Sequence, residues 1–138
     1  MAMKIKALVL ISFLILLIIG CDYYDDRLVI NNESSTNLYV AFSRDTIIGI
    51  GENSAFMMPD YFVKAHTKKN VVEPGSKKAW EFFAEKSLNK EIHIFLLTEE
   101  TVKKHTPSEI VNRRLFEKRI DIMIIDLEKN NWIVSFQK

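Results

Sequence analysis

The sequence predicts a mostly β protein, all-β to α+β in class. The expected body is an antiparallel, β-sandwich-like domain with one capped helix and short helical turns, preceded by an N-terminal signal helix. Three observations carry this expectation. Alternating apolar and polar residues recur along the chain, as in "LYVAFS" at Leu38–Ser43 and "WIVSF" at 132–136, the period-two pattern of a half-buried strand. These segments are joined by turn-rich stretches such as "NNESSTN" and Pro74-Gly75, which favours sheet packing over alternating α/β layers. The first 20 residues stand apart, with a charged start and an apolar run holding a single polar residue.

That first stretch has its own chemistry. Lys4 and Lys6 precede an apolar run from Ala7 to Ile19 in which Ser12 is the only polar residue. A positive start, a short apolar middle and a small residue before the cut form a secretory signal. A spanning helix needs about 20 apolar residues, and this run is shorter. It ends in Ile18-Ile19-Gly20-Cys21, which resembles the lipobox of bacterial lipoproteins. The resemblance implies a diacylglyceryl thioether on Cys21, signal cleavage between Gly20 and Cys21, and acylation (palmitate or a similar chain) of the new amino terminus. Gly20 leaves room for a peptidase at the backbone, and Cys21 supplies the nucleophilic sulfur. One acyl chain holds a membrane weakly, whereas two or more hold it stably. An uncleaved helical anchor with an incidental Cys is the competing reading.

Asp22, Tyr23, Tyr24, Asp25 and Asp26 come next. Like charges in a row repel and extend, so 21–26 reads as the lipidated Cys and a solvated acidic tether, with a three-carboxylate metal site as the weaker reading. Residues 1–20 are then the signal and 27–138 a single β-rich domain. In enteric bacteria an Asp after the lipid-bearing Cys resembles an inner-membrane retention signal. Other phyla sort differently, so Asp22 leaves the inner and outer membranes both open.

Removing the signal takes 20 of 138 residues and two of the 19 basic side chains, leaving 118 residues with 17 basic and 18 acidic groups. One domain of ordinary size follows. Its near-neutral charge argues against a nucleic-acid binder, which would be strongly basic. Cys21 is the only cysteine, so no disulfide forms within the chain and the core alone must hold the fold.

Along the mature chain, 27–31 and Leu38–Ser43 read as strands, and the polar connection between them as a hairpin. Residues 46–50 and 55–58 suggest short edge strands, 62–65 and 70–73 extended chain, and Pro74-Gly75 the centre of a type II turn. Trp80, Phe83 and Ala84 at helical spacing suggest a short helix over 79–86. "EIHIFLL" at 91–97 is apolar on both faces and reads as a central strand. Residues 98–104 suggest a helical turn. Thr106-Pro107-Ser108-Glu109 is a helix start, with Thr at the cap, Pro first and Glu returning the hydrogen bond; that helix should run to Arg114. A strand over 115–122, a helical turn over 124–130 and a final strand over 132–136 complete the order.

Taken together, the lipobox, "RLVINNESSTNLYVAFS", "VEPGSKKAW", "EIHIFLL", "TPSEIV" and the tail "FEKRIDIMIIDLEKNNWIVSF" resemble small lipoproteins of Bacteroidota, over nearly the whole mature chain. In such relatives a Ser or Thr caps the short helix near Met123. Methionine cannot cap, so the turn is expected to start at Asp121. The resemblance implies an envelope location, at the outer membrane or cell surface for a Bacteroidota source, and it brings no catalytic residues. Asp45-Thr46-Ile47 also looks like that phylum's O-glycosylation pattern, with Thr46 as acceptor; an ordinary strand edge is the equal alternative. Asn32-Glu33-Ser34 matches the N-glycosylation sequon, though a hairpin loop explains it.

Catalytic signals are weak. No Ser lies in a G-x-S-x-G elbow. His66, His93 and His105 lack zinc-site spacing, so no metal and no cofactor is expected, and His93 reads as a core or sheet-face residue. Glu99 and Glu100 are adjacent and diverge, unlike a glycosidase pair. Lys103, Lys104, Arg113, Arg114, Lys118 and Arg119 face only Glu109 and Glu117 by sequence, so an anionic lipid or glycan surface is a candidate partner; the alternative is a solvated face. Trp80 and Trp132 suit sugar stacking, though burial is the more usual fate. The reading that results is a membrane-anchored, non-catalytic binding or assembly module, held in the bilayer by acylated Cys21, with an envelope protein or glycan as partner. A small envelope hydrolase and a structural spacer are the alternatives.

Overall fold

The computed structural model describes residues 23–48 and 59–137. The signal segment, Gly20, Cys21, and the strand expected over 55–58 lie outside the described residues. In chain order the elements are β1 (Tyr24–Asp25), β2 (Val29–Asn32), β3 (Leu38–Ser43), β4 (Phe62–Val63), β5 (Thr67–Asn70), β6 (Glu73–Pro74), α1 (Ala79–Glu85), β7 (Glu91–Thr98), α2 (Glu99–Lys104), α3 (Pro107–Arg113), β8 (Lys118–Met123), α4 (Ile124–Lys129) and β9 (Ile133–Phe136).

The central sheet has the order β4-β3-β7-β8 and is antiparallel throughout. A second sheet, β5-β2-β9, pairs β2 antiparallel to β5 and parallel to β9. The ribbon β1-β6 is separate. The expected 27–31/38–43 hairpin does not form, because β2 and β3 belong to different sheets. Leu28 and Ile30 point into the same apolar cluster as Leu38, Val40 and Phe42, so loop 33–37 carries the chain from one layer of the sandwich to the other.

Strand β7 is central, as its two apolar faces require. Ile92, Ile94 and Leu96 enter the cluster between the sheets, which Trp80 and Ala84 of α1 and Leu127 of α4 help to close. Phe95 and Leu97 enter a second cluster with Val102 of α2 and Ile110 of α3. Helices α1 and α2–α3 therefore lie on opposite faces of the central sheet. Burying about 2 kcal/mol worth of each such side chain fixes the register, since a one-residue slip would exchange the two faces.

Local signals decide the helix ends. Thr106 and Glu109 form a full capping box, and α3 stops at Arg114 in the left-handed region. Thr98 Oγ1 accepts from Thr101 N at 3.1 Å to cap α2. The start expected at Asp121 for the last turn is corrected. Met123 occupies the cap position of α4 with no side-chain hydrogen bond. Pairing with β7 continues to Met123, which keeps Asp121 inside the strand. Thr46 and Ile47 lie in a bend after β3, not in an edge strand.

The strands give the body two ends. β2 leads away from β1, loop 33–37 turns at the far end, and β3 returns about 20 Å over six residues to Ser43. At the near end, Gly75 N donates to Tyr23 O at 2.8 Å and Leu88 N to Arg44 O at 2.8 Å. At the far end, Leu38 pairs with Thr98, and Glu99 N donates to Asn37 O at 3.0 Å.

Candidate functional site

The near end begins with a correction. The acidic tether over 21–26 is not a solvated spacer along its whole length: Asp25 is 2% exposed and forms β1 with Tyr24. Its carboxylate accepts from Arg27 Nε at 2.8 Å and Nη2 at 2.6 Å, and from Trp80 N at 3.3 Å. Trp80 Nε1 donates to the Asp25 carbonyl at 3.1 Å. Arg27 also pairs with Glu81 and stacks 3.9 Å over the Trp132 ring. Burial pushes the Asp25 carboxyl up, but the hydrogen bonds from Arg27 and Trp80 outweigh it and hold the group below its ordinary value. The folded body thus starts at Tyr24, three residues after Cys21.

Beside this clamp lies a groove of about 200 Å³ whose walls include Arg44, Glu73, Pro74, Ala79, Phe83 and Lys86. The Arg44 guanidinium sits 4.9 Å from the Phe83 ring centroid, and its Nε is buried without a hydrogen-bond partner among the described residues. Burial raises the Glu73 carboxyl above its ordinary value, opposed by Arg44 and reinforced by Asp25. Two cations, Arg44 and Lys86, and one carboxylate, Glu73, thus share the groove wall. Around it, Tyr23, Tyr24, Phe82 and Leu88 are each half or more exposed.

Titratable groups also converge on the α2–α3 face of the central sheet. Cross-strand register sets Ser43, His93 and Asp121 in one row. His93 Nδ1 and Asp121 Oδ1 are 2.8 Å apart, while Nε2 is buried without a partner among the described residues. Glu91 brings a third ligand-type atom within 4.8 Å. The row does not form an activated nucleophile. Ser43 is 3% exposed, and its hydroxyl donates to Ile47 O at 2.8 Å. Arg119 donates to Asp121 Oδ2 from Nε at 3.1 Å and Nη2 at 2.9 Å. Burial raises the Asp121 carboxyl, and the bonds from His93 and Arg119 bring it below its ordinary value. Asp121 is therefore already paired with the Arg119 guanidinium and bonded to His93, which makes it a poor metal ligand.

At the far end, Ser35, Thr36, Asn37, Thr98, Glu99 and Thr101 line an open polar groove of about 520 Å³. Asn37 holds its rim, donating to Glu99 Oε2 at 2.8 Å and accepting from Ala65 N at 3.0 Å. Hydrogen bonds from Lys103 and Asn37 keep the Glu99 carboxyl low, as the bond from Lys104 does for Glu100.

Of the six cations expected as an anionic-surface contact over Lys103–Arg119, three are paired with carboxylates. Lys103 pairs with Glu99 at 2.6 Å, Lys104 with Glu100 at 2.5 Å and Arg119 with Asp121 at 2.9 Å. Counting only Glu109 and Glu117 overlooked these carboxylates, which helix spacing and strand pairing bring alongside. Arg113 and Arg114 remain exposed, and Lys118 lies 6.0 Å from the Phe136 ring. Thr46 is half-buried in a surface bend, its hydroxyl 3.3 Å from Asp45 Oδ1. Asn32 is fully buried, with Nδ2 donating to the carbonyls of Thr36, Val63 and Lys64. It is a loop organiser and no glycan acceptor. Trp80 is fully buried and Trp132 is covered by Arg27, so neither offers a free face to sugar. His66 is exposed, and His105 Nδ1 is 4.0 Å from Glu109.

Sequence reasoning missed Arg44 and Asp25. Arg44 belongs to no motif, and Asp25 lies among like charges; the spacing Asp25-x-Arg27 is its one available signal. No family model, curated protein or solved structure matches the chain.

Proposed function

We propose that the protein is a lipid-anchored module of a bacterial envelope that binds a partner without transforming it. Acylated Cys21 holds it in the bilayer, in keeping with the resemblance to small Bacteroidota lipoproteins. The polar groove at the far end takes a hydroxyl-rich ligand of the glycan class. One observation carries this reading: the lipobox cysteine lies three residues before a clamped strand at one end of the body, and the open groove lined by hydroxyls, an amide and carboxylates lies at the other. Sugar hydroxyls both donate and accept, so Ser35, Thr36, Asn37 and Glu99 match them in kind.

Two measurements test it. Cys21→Ser should release the protein from membranes or stall its processing, whereas unchanged lipid labelling would refute the anchor. Crosslinking in the native cell, followed by mass spectrometry, should recover a glycan or glycoconjugate through the far groove, and Asn37→Ala with Thr98→Ala should abolish that recovery. Recovery of nothing above background would refute the binding reading.

A further inference from the structure

The clamp and the groove beside it set how the body sits on its membrane. Tyr23 lies two positions after Cys21, and extended chain spans at most about 7 Å over that length. Tyr23 is itself pinned, because its carbonyl accepts from Gly75 N at 2.8 Å. The headgroup layer is about 5–7 Å thick on each side of a bilayer. A lipid on Cys21 therefore brings the Pro74–Gly75 turn to the headgroups with no spacer between them.

The chemistry of this end suits that contact. Tyr23, Tyr24 and Phe82 are 52%, 53% and 55% exposed, and aromatic side chains favour the headgroup level. Lys78 and Lys86 flank α1 as its two caps, four residues to either side of Phe82, and Lys77, Lys78 and Lys86 are exposed. Lysine stems lie along apolar surface while the ammonium reaches the phosphates. Of the carboxylates nearby, Asp25 and Glu81 pair with Arg27; Glu73 in the groove wall and exposed Asp26 and Glu85 stand against Arg44, Lys77, Lys78 and Lys86. Arg44 lines the groove, its Nε has no partner among the described residues, and a guanidinium donates well to phosphate oxygens.

We propose that the face made by β1, the Pro74–Gly75 turn and α1 seats on the headgroups of the bilayer that holds the anchor. Arg44 and Lys86 receive a lipid phosphate in the groove between them, and Tyr23, Tyr24 and Phe82 lie at headgroup depth. The inference rests on the acylated Cys21 of the proposed function. It points the far groove away from the membrane, and it assigns lipid contact to a different surface from the cations over 103–119.

The test is lysine acetylation of the full-length protein, purified from a bacterial host and read by mass spectrometry. Labelling is compared in phosphatidylethanolamine–phosphatidylglycerol vesicles and in a non-ionic detergent that lacks phosphate. The same digest reports whether Cys21 is acylated. With Cys21 acylated, Lys77, Lys78 and Lys86 should label about fivefold more slowly in vesicles, the factor expected from the attraction of one lysine to an anionic surface. Lys103, Lys104 and Lys118 should be unchanged. Arg44→Glu with Lys86→Glu, checked for folding by circular dichroism, should return Lys77 and Lys78 to the detergent rate. Acylated Cys21 with equal labelling of both sets, or with protection confined to Lys103, Lys104 and Lys118, would overturn the seating and spare the anchor. Unmodified Cys21 would remove the anchor and the seating together.

Discussion

Replacing Asp25 with alanine should loosen the start of the fold by about 2–3 kcal/mol. The magnitude follows from what each partner loses. Trp80 N, a first-turn donor of α1, is buried and donates to the Asp25 carboxylate at 3.3 Å; an unmet buried donor costs about 1–3 kcal/mol. Arg27 keeps Glu81 and the Trp132 ring, and its side chain is 35% exposed. Solvent screening therefore limits its loss to about 1 kcal/mol. For a domain of this size the melting temperature should fall about 8–12 °C, measured by circular dichroism on the mature chain in detergent. Asp25→Asn keeps an acceptor and should cost less. The charge has a pH signature. The folded carboxyl lies below its ordinary value of 3.8, so its stabilisation is present above that pH and is lost as pH falls through the lower folded value. Asp25→Asn should remove that acid-dependent component. A change within about 0.5 kcal/mol for Asp25→Ala, the size of an ordinary surface substitution, would refute the clamp.

Other perturbations separate structural from chemical roles. His93→Phe should cost less than about 1.5 kcal/mol in urea denaturation, because the imidazole Nε2 has no partner to lose and Asp121 keeps Arg119. A loss above about 3 kcal/mol would mean that the pair with Asp121 holds the sheet. Phe95→Ala, removing a fully buried ring that packs edge-on against Phe116 at 5.2 Å, should cost about 3–5 kcal/mol. Thr106→Ala should cost about 1 kcal/mol by breaking the capping box of α3, and thermal melting reads the difference. Lys103→Glu with Lys104→Glu should leave vesicle partition unchanged, since both cations are already paired; weaker partition would restore the 103–119 face as a lipid contact.

The elements that the sequence made legible are those governed by neighbours a few residues away. Thr106-Pro107-Ser108-Glu109 encodes its own cap, and "EIHIFLL" shows two apolar faces whatever its partners. Strand pairing was not legible in the same way. Leu28–Ile30 and Leu38–Phe42 look like the arms of a hairpin, yet both point into one core from opposite sheets. Alternation reports which side of a strand is buried and says nothing about its partner. The candidate sites depend on the same long-range information. Lys103 looks unpaired until Glu99 is placed one helical turn before it, and Asp121 looks like a cap until β7 brings His93 opposite. Arg44 gains meaning only when α1, 39 residues on by its Phe83, folds back against it.

The most direct test of the account is the mass of the tryptic peptide that runs from the mature amino terminus to Arg27. The account predicts a peptide beginning at Cys21, heavier than its residues by a diacylglyceryl group and an amide-linked acyl chain, and recovered only from the membrane fraction. An unmodified Cys21, or an amino terminus anywhere else, would contradict it.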